Sequence, residues 1–149
     1  MKKLILLFAI AGLFTQAQAQ KLKAKDVPVA VTAAFEKSHP TTKDVDWSKD
    51  GNNYEVEYDV NKTDMSITYN SSGKLMETEM EIKASALPAP VMEYVKTNYK
   101  EDEVKEAAKI TDASGIVSYE AEVKGMDLIF DSKGNYIKSM KANATLFGK

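Results

Sequence analysis

Cysteine and arginine are absent from the chain, and histidine and tryptophan occur once each. Without cysteine there is no disulfide scaffold, and stability has to come from a packed core. A lipid-anchored lipoprotein is excluded on the same ground. Without arginine, the bidentate clamp that usually holds phosphate or carboxylate is missing, and all 20 basic residues are lysine. The lone His39 has no second histidine with which to share a metal and no cysteine to activate. It precedes Pro40 at a predicted helix end, where the second half of the chain has Tyr99, which reads as a packing position.

What is present begins with MKKLILLFAIAGLFTQAQA: two lysines, an apolar run from Leu4 to Phe14, and Ala17 and Ala19 at the positions a signal peptidase reads. The pattern predicts a secretory signal peptide over 1–19, cleaved near Ala19, because the apolar run is well short of the ~20 residues a membrane-spanning helix needs. The mature protein would be periplasmic or secreted, without a membrane anchor. Cleavage removes Lys2 and Lys3, leaving 18 of the 20 lysines against 22 acidic residues. That balance excludes nucleic acid and anionic membrane surfaces as natural partners.

An internal repeat organises the remainder. VPVAV at 27–31 is answered by LPAPV at 87–91, YEVEY at 54–58 by YEAEV at 119–123, and ITYNSSGKL at 67–75 by LIFDSKGNY at 128–136. Three blocks in one order at nearly constant offset indicate one supersecondary unit used twice. The units are 20–84 and 85–149, joined in one compact body. Each opens with a predicted helix, capped by Asp26 or Ser85 with Pro28 or Pro88 in the first turn. Val27, Val31, Ala34 and Phe35 form the apolar stripe of the first helix, and Leu87, Val91, Tyr94 and Val95 that of the second. Four strands follow in each: Val45–Trp47, Tyr54–Val60, Met65–Tyr69 and Lys74–Ile82, then Glu103–Ile110, Val117–Val123, Met126–Phe130 and Asn135–Met140. Leu75 is in step with Glu77 while Met76 is in step with Met80, which predicts a bulge or an exposed apolar side chain. The fold class expected is α+β, with helices on one face of antiparallel sheet and the other face open to solvent.

VPVAVTAAF, the Trp47 block, YEVEY and ITYNSSGKLMETE resemble the PepSY-like, beta-lactamase-inhibitor-like family of exported bacterial proteins, over about residues 26–141. The resemblance implies a tandem helix-plus-four-strand architecture similar to beta-lactamase inhibitory protein, with an exposed and often concave sheet face. It also implies a Bacteroidetes-like origin and partners bound through that face or a hairpin loop. No inhibitory residue can be carried over. The second copy departs from the pattern, with Glu106-Ala107 where the first has Asp46-Trp47, and Lys100 opposite Pro40.

The chemical candidates are acidic. Glu55, Glu57 and Asp59 alternate along one strand, Glu77, Glu79 and Glu81 along another, and Glu120 and Glu122 along a third. Positions two apart on a strand are ~6.6–6.8 Å apart, so one ladder cannot encircle a cation. The alternation reads as a solvated sheet face, which supplies neither the pocket nor the protonated acid a glycosidase needs. The methionines are scattered and read as packing rather than as a copper site. No cofactor and no catalytic set are expected. The function expected is an exported, non-enzymatic binding protein, a protein inhibitor or interaction module with an unidentified protein partner. Its candidate binding residues are Glu55, Glu57, Asp59, Lys62, Asp64, Glu77, Glu79, Glu120 and Glu122. The alternative is a periplasmic sensor of a small ligand or cation. Oligomeric state is left open.

Overall fold

A computed structural model describes residues 20–100 and 102–142. The predicted signal peptide lies outside the described residues. In chain order the elements are β1 (Gln20–Leu22), α1 (Val29–Ser38), β2 (Val45–Asp50), β3 (Asn53–Val60), β4 (Thr63–Asn70) and β5 (Leu75–Glu81). They continue with α2 (Ala89–Tyr99), β6 (Val104–Asp112), β7 (Val117–Val123), β8 (Met126–Asp131) and β9 (Tyr136–Lys141). The nine strands form one antiparallel sheet in sequence order, so the halves share a sheet and meet where β5 pairs with β6. β1 adds an edge strand, pairing Leu22 with Trp47, that the sequence pattern does not reveal.

Neither predicted cap holds. Both helices start at a proline, Pro28 or Pro88, with no side-chain cap. Asp26 and Ser85 instead lie in short 3₁₀ turns, Ala24–Asp26 and Ala84–Ala86. These turns satisfy their own amides: Asp26 N donates to Lys23 O and Ala86 N to Lys83 O, both at 2.8 Å. Proline at the cap position sets φ and carries no N–H of its own to leave unpaired at the helix start.

Each helix covers its own half of the same sheet face. The first core is Val27, Val31, Phe35, Trp47, Val56, Tyr58, Ile67 and Tyr69. The second is Leu87, Val91, Val95, Ala107, Ala121, Val123, Leu128 and Phe130, the repeat equivalents taken one for one. The chemistry of the two cores differs. In the first, Phe35 meets Trp47 and Tyr58 edge-on at 5.8 and 5.3 Å and stacks on His39 at 4.8 Å. His39 Nε2 and the Tyr58 hydroxyl are hydrogen-bonded at 3.0 Å, which gives the lone histidine the packing role its position suggests. In the second, Ala107 replaces the bulk of Trp47 and Val95 that of Phe35. Aromatic mass arrives from the other end of the sheet, where Tyr94 stacks on Tyr136 at 4.7 Å and meets Phe130 at 5.5 Å.

The phase conflict in β5 resolves as a bulge. Thr68 pairs with Glu77 but Tyr69 with Leu75, so Met76 is the extra residue. Two-residue turns at Asn61-Lys62 and Lys124-Gly125 have positive φ at both positions, as tight hairpins require. The expected loop at 61–64 is therefore shorter, with Thr63 and Asp64 already in β4.

The β4–β5 and β8–β9 hairpins lean on the helices through Gly73 and Gly134. Gly73 has φ +78° and a Cβ there would strike the Ala30 carbonyl of α1, whereas Gly51 has φ +56° with open space around it. Gly51→Ala is expected to cost about 1 kcal/mol from conformation alone. Gly73→Ala is expected to cost roughly 3 kcal/mol or more, because α1 has to shift as well. Urea midpoints of the two variants test the difference, and equal losses would show that the hairpin does not bear on the helix.

Candidate functional site

The face away from the helices is set by strand alternation. Tyr54, Val56 and Tyr58 point to the helices, so Glu55 and Glu57 point away. Following the register across the sheet gives three rows on that face. Glu57, Ser66, Glu79, Ile110 and Ser118 form one, and Glu55, Thr68, Glu77 and Asp112 the next. Glu81, Ala108, Glu120, Ile129 and Lys138 form the third. Acids on β3, β5 and β7 thus alternate with small residues, Ser66, Thr68, Ala108 and Ser118, which leave room above the sheet.

That face is not flat. Asp50 on β2 and Met140 on β9 line the same cavity of about 330 Å³. Seven inter-strand steps separate those strands, ~33 Å in a flat sheet, yet both contribute to the wall of one cavity. The sheet is therefore strongly curled, with the helices on its convex side and a trough on the other. Register shifts at Thr68/Tyr69, Val104/Glu106 and Ile129/Phe130 supply local bends.

Curling buries carboxyl groups. Glu79 and Glu120 are each 7% exposed and Asp127 4%. The fully solvated face expected from the alternation is thus corrected, as is the inference that it supplies neither a pocket nor a protonated acid. Burial, then the charges of Glu77, Glu55 and Asp127, pushes Glu79 up to about 8. Glu120 is pushed up to about 9 by burial and by Asp127, Glu79, Glu77 and Glu122. Glu57 rises to about 7 through burial and the neighbouring Glu55 and Asp46. Burial also raises Glu55, against the Ser66 and Ser48 hydroxyls that lower it, with Ser48 Oγ donating to Glu55 Oε2 at 3.3 Å. Burial raises Glu77 as well, partly offset by Lys138 from β9. At neutral pH the trough therefore holds protons that exposed carboxylates would have released.

The structure brings together five of the nine sequence candidates. Glu55, Glu77, Glu79 and Glu120 line the cavity, and Glu57 follows Glu55 on the same face, in the row of Ser66 and Glu79. Glu122 continues this face on β7, opposite Glu106 and Asp127. Asp59, Lys62 and Asp64 lie at the far end of the β3–β4 hairpin and do not line the cavity. Asp127, Ile110, Ile129 and Lys138 line it and were not singled out from the sequence. For Asp127 the signal is present in MDLIF, where it alternates with Leu128 and shares a side with Ile129. Among the described residues, no three histidine, cysteine or carboxylate side chains converge in a way that could hold a metal ion.

Comparison with known proteins also finds two copies of one unit. The family described as "Putative beta-lactamase-inhibitor-like, PepSY-like" matches the chain twice, over residues 8–77 and 57–138. The chain belongs to this family. Solved structures with the same fold include a putative periplasmic protein of Bacteroides eggerthii, at TM-score 0.68 and 16% identity, covering 81% of this chain and 93% of that one. A DUF2874 family protein of Bacteroides uniformis aligns at TM-score 0.67 and 19% identity, over 79% and 91% of the two chains. A BLIP-like protein of Bacteroides fragilis aligns at TM-score 0.58 and 16% identity, over 80% and 89%. Among curated proteins, none matches the chain.

Linkage gives the sign of a pH test. Glu79 and Glu120 bind their protons more tightly folded than unfolded. The stability they contribute is thus fully present below their ordinary value of 4.5 and is lost as pH rises through about 8 and about 9. The melting temperature is expected to fall between about pH 5 and about pH 9. Glu120→Gln, which keeps the shape and cannot ionise, is expected to flatten that fall and melt higher than the parent at the alkaline end. Circular dichroism melts across the window check this, and a melting temperature that climbs with pH contradicts buried, proton-holding carboxyls.

Proposed function

We propose that this PepSY-like chain is an exported, non-enzymatic binding protein, an inhibitor or interaction module that engages another protein through the trough on its helix-free sheet face. The observation that carries this reading is the cavity lined from β2 to β9, with Glu79, Glu120 and Asp127 buried in its wall and no described helix residue among its lining. Burying carboxyl groups costs stability, and such a cost is commonly found where function requires it. A binding role fits the acids better than catalysis does. Acid–base hydrolysis needs two groups whose proton affinities are pushed apart, whereas burial drives all five here in the same direction. Export rests on the N-terminal pattern of residues 1–19 and agrees with the periplasmic designation of the Bacteroides eggerthii relative. No helix among the described residues is long and apolar enough to cross a membrane.

A second reading, a periplasmic sensor of a small ligand or cation, is favoured by one observation. The cavity's volume of about 330 Å³ lies in the range of small-molecule sites.

Site-specific photo-crosslinking in the native periplasm tests the leading reading. A crosslinker at Ser118, which lines the trough, is expected to capture a discrete protein adduct. The same group at Glu36, exposed on α1, is expected to capture none. Adducts from the helix side alone would place the interaction elsewhere and overturn the reading.

A further inference from the structure

We propose that the trough receives the end of an alkyl chain bearing a primary ammonium, seated on Glu79, flanked by Glu77 and Glu120, with its methylenes against Ile110 and Ile129. This rests on the reading of the trough as the binding face and names the chemistry it selects.

The first support is an orphaned atom. Glu79 Oε2 is buried and has no hydrogen-bond partner, on a side chain that is 7% exposed and lines the cavity. A buried acceptor left unmade costs stability, more when charged, and a ligand donor would recover it. The second is the mixture of walls. Ile110, Ile129 and Met140 line the same cavity as the acids, so a charged head and an apolar stem are both accommodated, the division found in a lysine side chain.

The third support is geometric. Glu79, Glu77 and Glu120 reach the cavity from β5 and β7, with β6 between them. A compact ammonium carries three donors that can address carboxyls arriving from different sides. A guanidinium presents its donors in one plane and suits a single coplanar carboxylate. A divalent metal needs at least several oxygens converging at about 2.3–2.6 Å, and among the described residues no such group of three exists. Lys138 on β9 lines the cavity and lowers the proton affinity of Glu77, so the protein already places one ammonium-bearing chain at this edge. Two sources present the same chemistry, a free alkyl diamine and a lysine side chain of a protein partner.

Calorimetric titration of the mature chain tests this with two probes, 1,5-diaminopentane and a short peptide carrying one central lysine between neutral residues. Binding with a Kd of about 1 mM or tighter is expected for at least one. Tighter binding of the peptide identifies a protein lysine as the source, and tighter binding of the diamine a free ligand. Seating the ammonium ionises Glu79 and releases its proton, so Glu79→Gln, which cannot ionise, is expected to weaken either by about tenfold or more. Thr68→Lys, which brings a resident ammonium onto the trough floor, is expected to abolish binding and raise the melting temperature, and it serves if the glutamine variant does not fold. Silence of both probes, or calcium binding with both probes silent, overturns the ammonium proposal. If crosslinking from Ser118 still captures a protein, only the ligand chemistry fails. If that capture is also lost, the trough fails as the binding face.

Discussion

Backbone pairing of Glu77–Glu81 with Ala108–Asp112 joins the two repeats edge to edge, and the character of the helix-free face depends on that junction. Two separate four-stranded sheets would each leave their acids facing water. One continuous sheet of nine strands accumulates the right-handed twist of every step, and bulges add to it until strands far apart in order face one another. The charge of Asp127, well after the junction, then raises the proton affinity of Glu79, which lies within it. The acids become buried because of how the sheet curls, with no element laid over them.

The opposite face shows how the same unit tolerates divergence. Eight core positions correspond between repeats, yet large residues in one copy face small ones in the other: Trp47 against Ala107, Phe35 against Val95, Tyr58 against Val123. Core volume has to be conserved in each half to avoid voids, since an unfilled side-chain cavity costs several kcal/mol. The second half achieves this with the Tyr94, Phe130 and Tyr136 cluster near the β9 edge. The apolar packing of β9 is therefore tied to α2, while its Lys138 and Met140 face the trough. One edge strand serves both sides of the sheet.

The two faces also differ in how their polar groups are satisfied. The helix-covered face follows ordinary rules, with apolar side chains interlocked and the one histidine hydrogen-bonded. The trough breaks them, because it gathers like-charged groups, withholds water and leaves a carboxyl oxygen without a donor. In this chain the twin cores carry a polar face that the fold alone would not need.

Strand alternation, proline position and the two-fold repeat were legible locally. They suffice for the helices, for the strands apart from β1, and for the residues that face the helices. Alternation also assigned Glu55, Glu57, Glu77, Glu79 and Glu120 to the opposite face, and the bulge at Met76 was visible as a conflict of phase. Curvature was not legible, because it is a sum over inter-strand steps and bulges that no short window contains. For that reason Asp127 and Ile129, remote in sequence from Glu79, could not be grouped with it. The sequence alone determined which side of each strand its acids occupy, through a period of two residues. Only the tertiary structure decided that four of them line one trough, since burial and charge repulsion depend on distances across strands.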